Sequence, residues 1–226
     1  MPYPPEHRGQ TRERIIRSAQ ALFNRHGFTG VSIDKVMEHA GLTRGGFYSY
    51  FRTKSELYAE AVAHALAVTP WSRWDGVSVD FSARDAAKQV VDAYLSREHF
   101  VDVEGSCPMV TLPGDVARSG EAVRRAFENV FKSMAGLFEE SLKREGRAGR
   151  TRALAIAGIC VGGMVVARSV ESAELADAIR SAARRTALQL GGWNKDGIDG
   201  RNRGSTRQTP PGRCRRSLRK KSASRG

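Results

Sequence analysis

The sequence predicts an all-α protein, and three observations carry that prediction. Apolar residues recur every three or four positions through most of residues 11–190, the period of a helix with one buried face. No stretch alternates apolar and polar residues as a half-buried strand does. Glycine, proline and serine interrupt the pattern at helix-length intervals. About nine helices are expected.

Residues 1–9 are polar and proline-rich and read as a flexible arm. Residues 11–26 form the first expected helix, with Ile15, Ala19, Leu22 and Phe23 on one face and Gly27 as its stop. Ser32 then offers its hydroxyl to the orphan N–H groups of a short helix ending near Ala40. Gly41 can take positive φ without a Cβ penalty. Leu42 returns a hydrophobe to the core, and Thr43 can cap the next helix. That helix puts Phe47 and Phe51 on one side, leaving Arg44, Gly45, Tyr48 and Ser49 to look outward. A glycine-jointed helix pair whose second member carries Arg, hydroxyls and bare backbone suits a major groove.

A fourth helix over residues 54–68, capped by Thr53 or Ser55, carries Leu57, Ala61, Ala65 and Val68 on one face, before Thr69-Pro70. Residues 71–82 read as a loop with Trp71, Trp74 and Gly76. A helix over 83–99 follows, then a glycine-containing loop at 101–107 and a short helix or irregular turn at 108–119. Residues 121–144 are the clearest amphipathic helix, with Val123, Phe127, Val130, Phe131, Met134, Leu137, Phe138 and Leu142 at the helical period. Residues 151–170 are apolar nearly all round and are expected to be buried on most sides. The uncharged run within them, residues 153–167, is 15 residues long, shorter than the roughly 20 of a membrane span. Residues 173–190 carry Leu175, Ile179, Ala182, Ala183 and Ala187 as a stripe. Residues 192–226 are rich in Gly, Arg, Ser and Pro and have too few hydrophobes to offset ordering entropy, so a disordered basic tail is expected.

Charge divides the chain in three. The net charge is +13. Residues 1–58 carry +4, residues 59–191 carry seventeen charges of each sign, and residues 192–226 carry +9. Basic ends around a neutral centre point to nucleic acid at the ends and another task between. The three cysteines, Cys107, Cys160 and Cys214, are far apart. With no CxxC or Cys/His cluster, neither a structural metal nor a disulfide framework is indicated, and that usage suits a reducing cytoplasm. No metal, cofactor or membrane partner is expected.

Three segments together resemble the DNA-binding domain of TetR/AcrR-type transcriptional regulators: Gly27-Phe-Thr-Gly-Val-Ser-Ile-Asp-Lys-Val36, Ala40-Gly-Leu-Thr-Arg-Gly-Gly-Phe-Tyr-Ser-Tyr-Phe51 and Lys54-Ser-Glu-Leu57. The resemblance covers about residues 10–60. Met37 departs from it, since these regulators usually place a small residue where the two helices cross. The resemblance implies a homodimer. Each subunit would hold a three-helix helix–turn–helix DNA-binding domain over residues 10–54 and a helical domain for inducer binding and dimerisation over residues 55–191. Carried over by position, Thr43, Arg44, Gly45, Tyr48 and Tyr50 would face the major groove and its phosphates, Lys54 would reach a phosphate, and Ser32 would cap its helix near the opposite backbone. Phe28, Val36, Leu42, Phe47 and Phe51 would be core. The partners implied are a double-stranded DNA operator, a second copy joined through the last two helices, and a small-molecule inducer or oxidant. Arg44 is the one long donor on the reading helix able to bridge G O6 and N7.

The central region offers Trp71, Trp74, Tyr94, Phe100, Met109, Phe127, Phe131, Met134 and Met164 as candidate walls of an apolar inducer pocket. Cys107, after a glycine loop and at an expected helix start, is a candidate redox or electrophile sensor, because helix N-terminal amides favour a thiolate. Residues 105–127 are similar to the corresponding region of TetR-type regulators that sense electrophiles and oxidants through a cysteine. A structural cysteine is the competing reading. The expected function is a repressor that binds a palindromic operator and is released by an apolar or electrophilic inducer. The rivals are a nonspecific architectural DNA binder using the basic tail and a thiol-dependent enzyme. Against the enzyme, no GxxxxGK[ST], HExxH or GxSxG motif occurs, and Pro113 stands where a Cys-x5-Arg phosphatase needs Arg.

Overall fold

The computed structural model describes residues 5–67, 73–147 and 149–194. The protein is all-α, with no strand among the described residues. The first helices are α1 (Pro5–His26) and α2 (Ile33–His39), followed by a 3-10 segment at Arg44–Ser49. Next come α3 (Lys54–Ala63), a 3-10 turn at His64–Leu66, α4 (Ala86–Tyr94) and α5 (Arg97–Val101). The remainder is α6 (Pro108–Thr111), α7 (Pro113–Ala117), α8 (Glu121–Arg144), α9 (Arg150–Arg168) and α10 (Ala173–Gly191).

The N-terminal core is built by Ile15, Ile16, Ala19 and Phe23 of α1 against Val36 and Met37 of α2, Phe47 and Phe51. Leu57, Tyr58, Ala61 and Val62 of α3 belong to the same core, as do Leu112, Val116 and Val123 from much farther along the chain. Packing therefore runs continuously across residue 54. A second core gathers α4, α6, α8, α9 and α10 around Val91, Met109, Phe138, Leu142, Ile156, Cys160 and Met164.

Helix ends follow local chemistry. Ser32 caps α2 by accepting from the Lys35 N–H at 3.2 Å, and Gly41 closes it at φ +66°. Thr53, rather than Ser55, caps α3, accepting from the Glu56 N–H at 3.0 Å, while Glu56 reaches back to the Arg52 N–H at 2.7 Å. The helix expected over 83–99 breaks at Ser96, whose hydroxyl caps α5. Prolines at the first positions of α6 and α7 open both, because a helix start needs no N–H there.

Four expectations need correction. The arm at residues 1–9 is helical from Pro5 onward, as α1 extends back over the second half of that segment. The reading helix is a six-residue 3-10 segment rather than an α-helix, because Gly45 and Gly46 weaken α-helix at its first turn. The tail does not begin at 192: Gly192 takes φ +73° to end α10, and Trp193 folds back on Phe138 with its indole N–H on Glu145 at 3.1 Å. Finally, α9 is not buried on most sides. Its composition and length would pass for a membrane span, yet only 33% of it is buried within this chain. Ala153, Ile156, Ala157, Cys160 and Met164 face inward, while Leu154, Gly158, Gly162 and Val166 face out. Trp71, Val68, Cys214 and the rest of the basic segment lie outside the described residues.

Candidate DNA-binding surface and the cavity behind it

The 3-10 segment is pinned from beneath. Phe47 and Phe51 are fully buried, with ring centroids 5.8 Å apart. Arg12 covers Phe51 at 4.9 Å and pairs with Glu60. Met37, the departure noted in the sequence, fits because its Cε lies against Gly46, where an added Cβ would sit 3.6 Å away. A Cβ at position 46 would meet it in ordinary van der Waals contact.

What the segment shows outward matches the residues expected to read DNA. Thr43, Arg44, Gly45 and Tyr48 are exposed, Tyr50 is half-buried, and an added Cβ at Gly45 would meet nothing within 4 Å. Tyr48 stands edge-on to Phe47, which fixes its ring while 62% of the residue stays open. Arg44 pairs with Asp34 of α2 at 3.1 Å. Such an exposed pair contributes little, so it orients the guanidinium without holding it against a base. Ser32 is exposed at the far end of α2.

Lys54 does not point freely to solvent. Its ammonium sits 4.1 Å from the Phe28 ring centroid, and partial burial lowers its pKa against the opposing pull of Asp115. Arg8 was absent from the sequence-derived set because it fell in the expected arm. On α1 it donates to the Ser49 carbonyl at 2.9 Å and lies over Tyr50 at 5.9 Å, buttressing the end of the reading segment. Residues 6–14 hold no apolar residue, so the apolar period carried no signal for it.

Behind this surface lies a cavity of about 850 Å³. Arg17, Gln20 and Ala21 of α1, His39 of α2 and His64–Leu66 bound it on the N-terminal side. Trp74, Val90, Tyr94, His99, Met109, Val130, Met134 and Leu137 supply most of the other wall, with the Glu104–Cys107 loop. Of the nine residues expected to line an inducer pocket, Trp74, Tyr94, Met109 and Met134 do so. Phe100 instead packs under Arg180 at 5.0 Å. Phe127 and Phe131 pack partly buried against the cores, and Met164 is fully buried on the inner face of α9.

The Glu104–Cys107 loop is held by a buried polar network. His99 is 1% exposed and stacks on Trp74 at 4.8 Å. Its Nδ1 donates to the Tyr94 carbonyl at 2.6 Å, which leaves Nε2 to accept from the Ser106 hydroxyl at 2.9 Å and the Cys107 N–H at 3.4 Å. Burial lowers the His99 pKa to about 4, so the ring is neutral. Arg168 reaches in from the end of α9, donating to Ser106 Oγ at 2.9 Å and the Phe100 carbonyl at 3.1 Å. Burial would raise the Asp102 carboxyl, but bonds from the Trp74 indole and the Gly105 N–H, both 2.8 Å, hold it low.

Cys107 is 9% exposed and lines the cavity. The thiolate expected from a helix N-terminus is not favoured. The helix that follows has four residues, and burial pushes the thiol's pKa up despite the Met109 N–H, Tyr94 and Arg168. Cys160 is fully buried and pushed up to about 12. The Tyr94 hydroxyl, beside Cys107, is buried without a partner in hydrogen-bond geometry.

Residues 15–61 match the family model described as bacterial regulatory proteins, tetR family. Over 133 residues the chain is 24% identical to an uncharacterized HTH-type transcriptional regulator in the lacX 3′ region of Lactococcus lactis subsp. lactis, covering 58% of this chain and 68% of that protein. It is 26% identical over 144 residues to the HTH-type transcriptional regulator LmrA of Bacillus subtilis (strain 168), covering 61% and 74%. Among solved structures, the reduced form of E. coli NemR matches the fold with a TM-score of 0.62 at 20% identity, over 80% of this chain and 96% of that one. The helix–turn–helix segment over residues 15–61 is thus a TetR-family DNA-binding domain.

Proposed function

We propose that the protein is a homodimeric, ligand-responsive repressor. Two recognition segments would enter successive major grooves of a palindromic operator about 34–36 Å apart. Arg44 would read a base. Thr43, Gly45, Tyr48 and Tyr50 would meet the groove edge and sugar-phosphate, and Ser32 and Lys54 would contact phosphates. The observation that supports ligand control is the cavity, walled on one side by α1 and α2 and on the other by α4 and α8, so that its occupant touches both the reading domain and the rest of the chain. Its lining favours a mainly apolar ligand carrying one hydrogen-bond acceptor for the unpartnered Tyr94 hydroxyl. Occupancy would shift the population toward dimers with misplaced recognition segments.

Dimerisation is supported by the outward face of α9, with Leu154, Gly158, Gly162 and Val166 at spacing four, beside exposed Leu175, Ala178 and Ala182 of α10. Gly163 and Ala183 serve the α9–α10 crossing within the chain, since a Cβ at Gly163 would lie 2.4 Å from that of Ala183. A second copy covering this face explains an apolar helix of which only a third is buried within this chain, in a protein that works in the cytoplasm at the nucleoid.

Selection of bound duplexes from random DNA tests the reading, repeated with a panel of apolar ligands and with diamide. A palindromic consensus lost on adding a ligand supports it. Binding with no consensus overturns it in favour of an architectural role. A second reading, covalent control, draws on the placement of Cys107 in the cavity wall beside Tyr94. As a buried, protonated thiol it would react only with electrophiles small and apolar enough to enter. Release by such reagents should vanish in Cys107→Ser and persist in Cys160→Ala.

A further inference from the structure

Among the contacts between the cavity wall and the reading domain, one buried side chain makes three hydrogen bonds. Asn24, two residues before the end of α1, is 5% exposed. Its Nδ2 donates to the Glu104 carbonyl at 3.0 Å and the Ser106 carbonyl at 2.8 Å. Its Oδ1 accepts from the Thr111 hydroxyl at 2.8 Å. The orientation of the amide is fixed by its partners, because two backbone carbonyls can only accept. All three bonds cross from α1 to the Glu104–Cys107 loop and α6. Nearby, Arg25 pairs with Glu104, and the Phe28 N–H bonds Asp115 Oδ2 at 2.8 Å in the Gly27 turn. Phe28 is also the ring under Lys54.

The same loop faces the cavity through Glu104, Gly105, Ser106 and Cys107, and α1 faces it through Arg17, Gln20 and Ala21. A molecule seated between them cannot displace the loop without moving Asn24 or breaking its bonds, and buried donors left without acceptors are costly. The loop is also tied to the rest of the chain, Ser106 to His99 and Arg168, Cys107 to His99 and Gly105 to Asp102. The loop therefore has one set of bonds to the sensing core and another to the reading domain.

We propose that Asn24 is a positioning residue that latches α1 of the reading domain to the cavity-wall loop Glu104–Cys107, so that occupancy of the cavity reaches the DNA through its carboxamide. The proposal rests on the reading of the cavity as the regulatory site. It assigns α1, through Asn24 and the adjoining Gly27–Phe28 turn, the task of carrying the loop's displacement to Lys54 and the recognition segment.

A double-mutant cycle on the full-length protein tests it, with a tryptophan grown into the cavity as permanent occupant. Met134→Trp, Asn24→Ala, the double variant and the parent are titrated with one duplex recovered by selection, and thermal unfolding verifies that each is folded. Met134→Trp should weaken duplex binding on the order of 10-fold in the parent background, within the usual span of coupling between sites. In the Asn24→Ala background the same substitution should change affinity by less than about 2-fold. Hydrogen exchange of the Asn24–Phe28 amides should accelerate with Met134→Trp only where Asn24 is present. An equal loss in both backgrounds overturns the latch and leaves the regulatory reading standing. No loss in the parent background overturns that reading and the latch with it. Should Asn24→Ala fail to fold, Thr111→Val, which removes one of the three bonds, replaces it and should give an intermediate coupling. Full parental coupling in that variant counts against the latch.

Discussion

Arg44 and Lys54 are both cations on the proposed DNA face, yet their surroundings assign them different work. Arg44 stands exposed on the 3-10 segment, tethered to Asp34 by a solvent-screened pair that a base edge can replace. Arg44→Ala should therefore cost ~1–3 kcal/mol of discrimination at one base position, visible as a flattened column in a selected consensus. An unchanged consensus would remove Arg44 as a reader. Lys54 sits half-buried over Phe28 at the cap of α3, where its ammonium adds charge without a planar fork. Lys54→Ala should weaken binding to every duplex alike and lower the slope of log K against log salt by about one unit. His99 sets a third expectation. Its pKa falls from 6.5 unfolded to about 4 folded. The unfolded chain then binds more protons between those values, and the stability His99 contributes above pH 6.5 is lost as pH falls toward about 4. Protonation would set an imidazolium Nε2–H against the Cys107 N–H that it now accepts from, with Arg168 close by. Denaturant midpoints taken from pH 7 to pH 4 should drop, and His99→Asn should flatten that part of the profile. A drop of the same size in His99→Asn would place its origin elsewhere.

Helices whose ends are written in local chemistry were legible in the sequence, and those whose shape depends on distant partners were not. The α8 limits, Glu121 and Arg144, agree with the apolar period because both a glycine cap and a full amphipathic face mark them. Ser32, Gly41 and the buried Phe47–Phe51 pair were likewise readable from residue type and spacing. The 3-10 geometry of Arg44–Ser49 was not, because two glycines make the local preference weak and the buried aromatics decide. Asn24 and Asp115 carried no signal at all. Each is an ordinary polar residue whose bonds across the chain reach about eighty positions or more. The pocket residues failed in a different way: aromatic content marked the region but not which face of α8 or α9 turned inward. That ambiguity is what the outward stripe of α9 now resolves. Val166 is half exposed on the same line as Leu154, Gly158 and Gly162. Val166→Glu should leave the monomer fold intact by circular dichroism while shifting light-scattering mass from dimer toward monomer, since a charge forced into an apolar contact is strongly unfavourable. Retention of the dimer would move the interface off this stripe.

At the scale of the whole chain, charge separates reading from holding. The centre contributes no net charge, whereas residues 192–226 carry +9 of the total +13. Removing residues 195–226 takes away all of that +9, because Gly192, Trp193 and Asn194 are uncharged, and leaves +4. The first 58 residues alone account for that remainder. Polycationic segments raise affinity for any duplex through counterion release, and this contribution falls steeply with salt. Sequence preference depends instead on side chains that meet base edges, and the proposed ones lie on Arg44–Ser49. Truncation after Asn194 keeps Trp193 packed on Phe138 and bonded to Glu145, so the end of α10 stays closed. The truncated protein should accordingly show the same footprint boundaries and the same consensus as the full chain, with weaker binding to random duplexes and a shallower salt slope. The ratio of specific to nonspecific affinity should rise. Footprinting both proteins at two salt concentrations checks this. If the footprint disappears with the tail, the basic segment is the DNA-binding element, and the helix–turn–helix contributes too little to hold an operator alone.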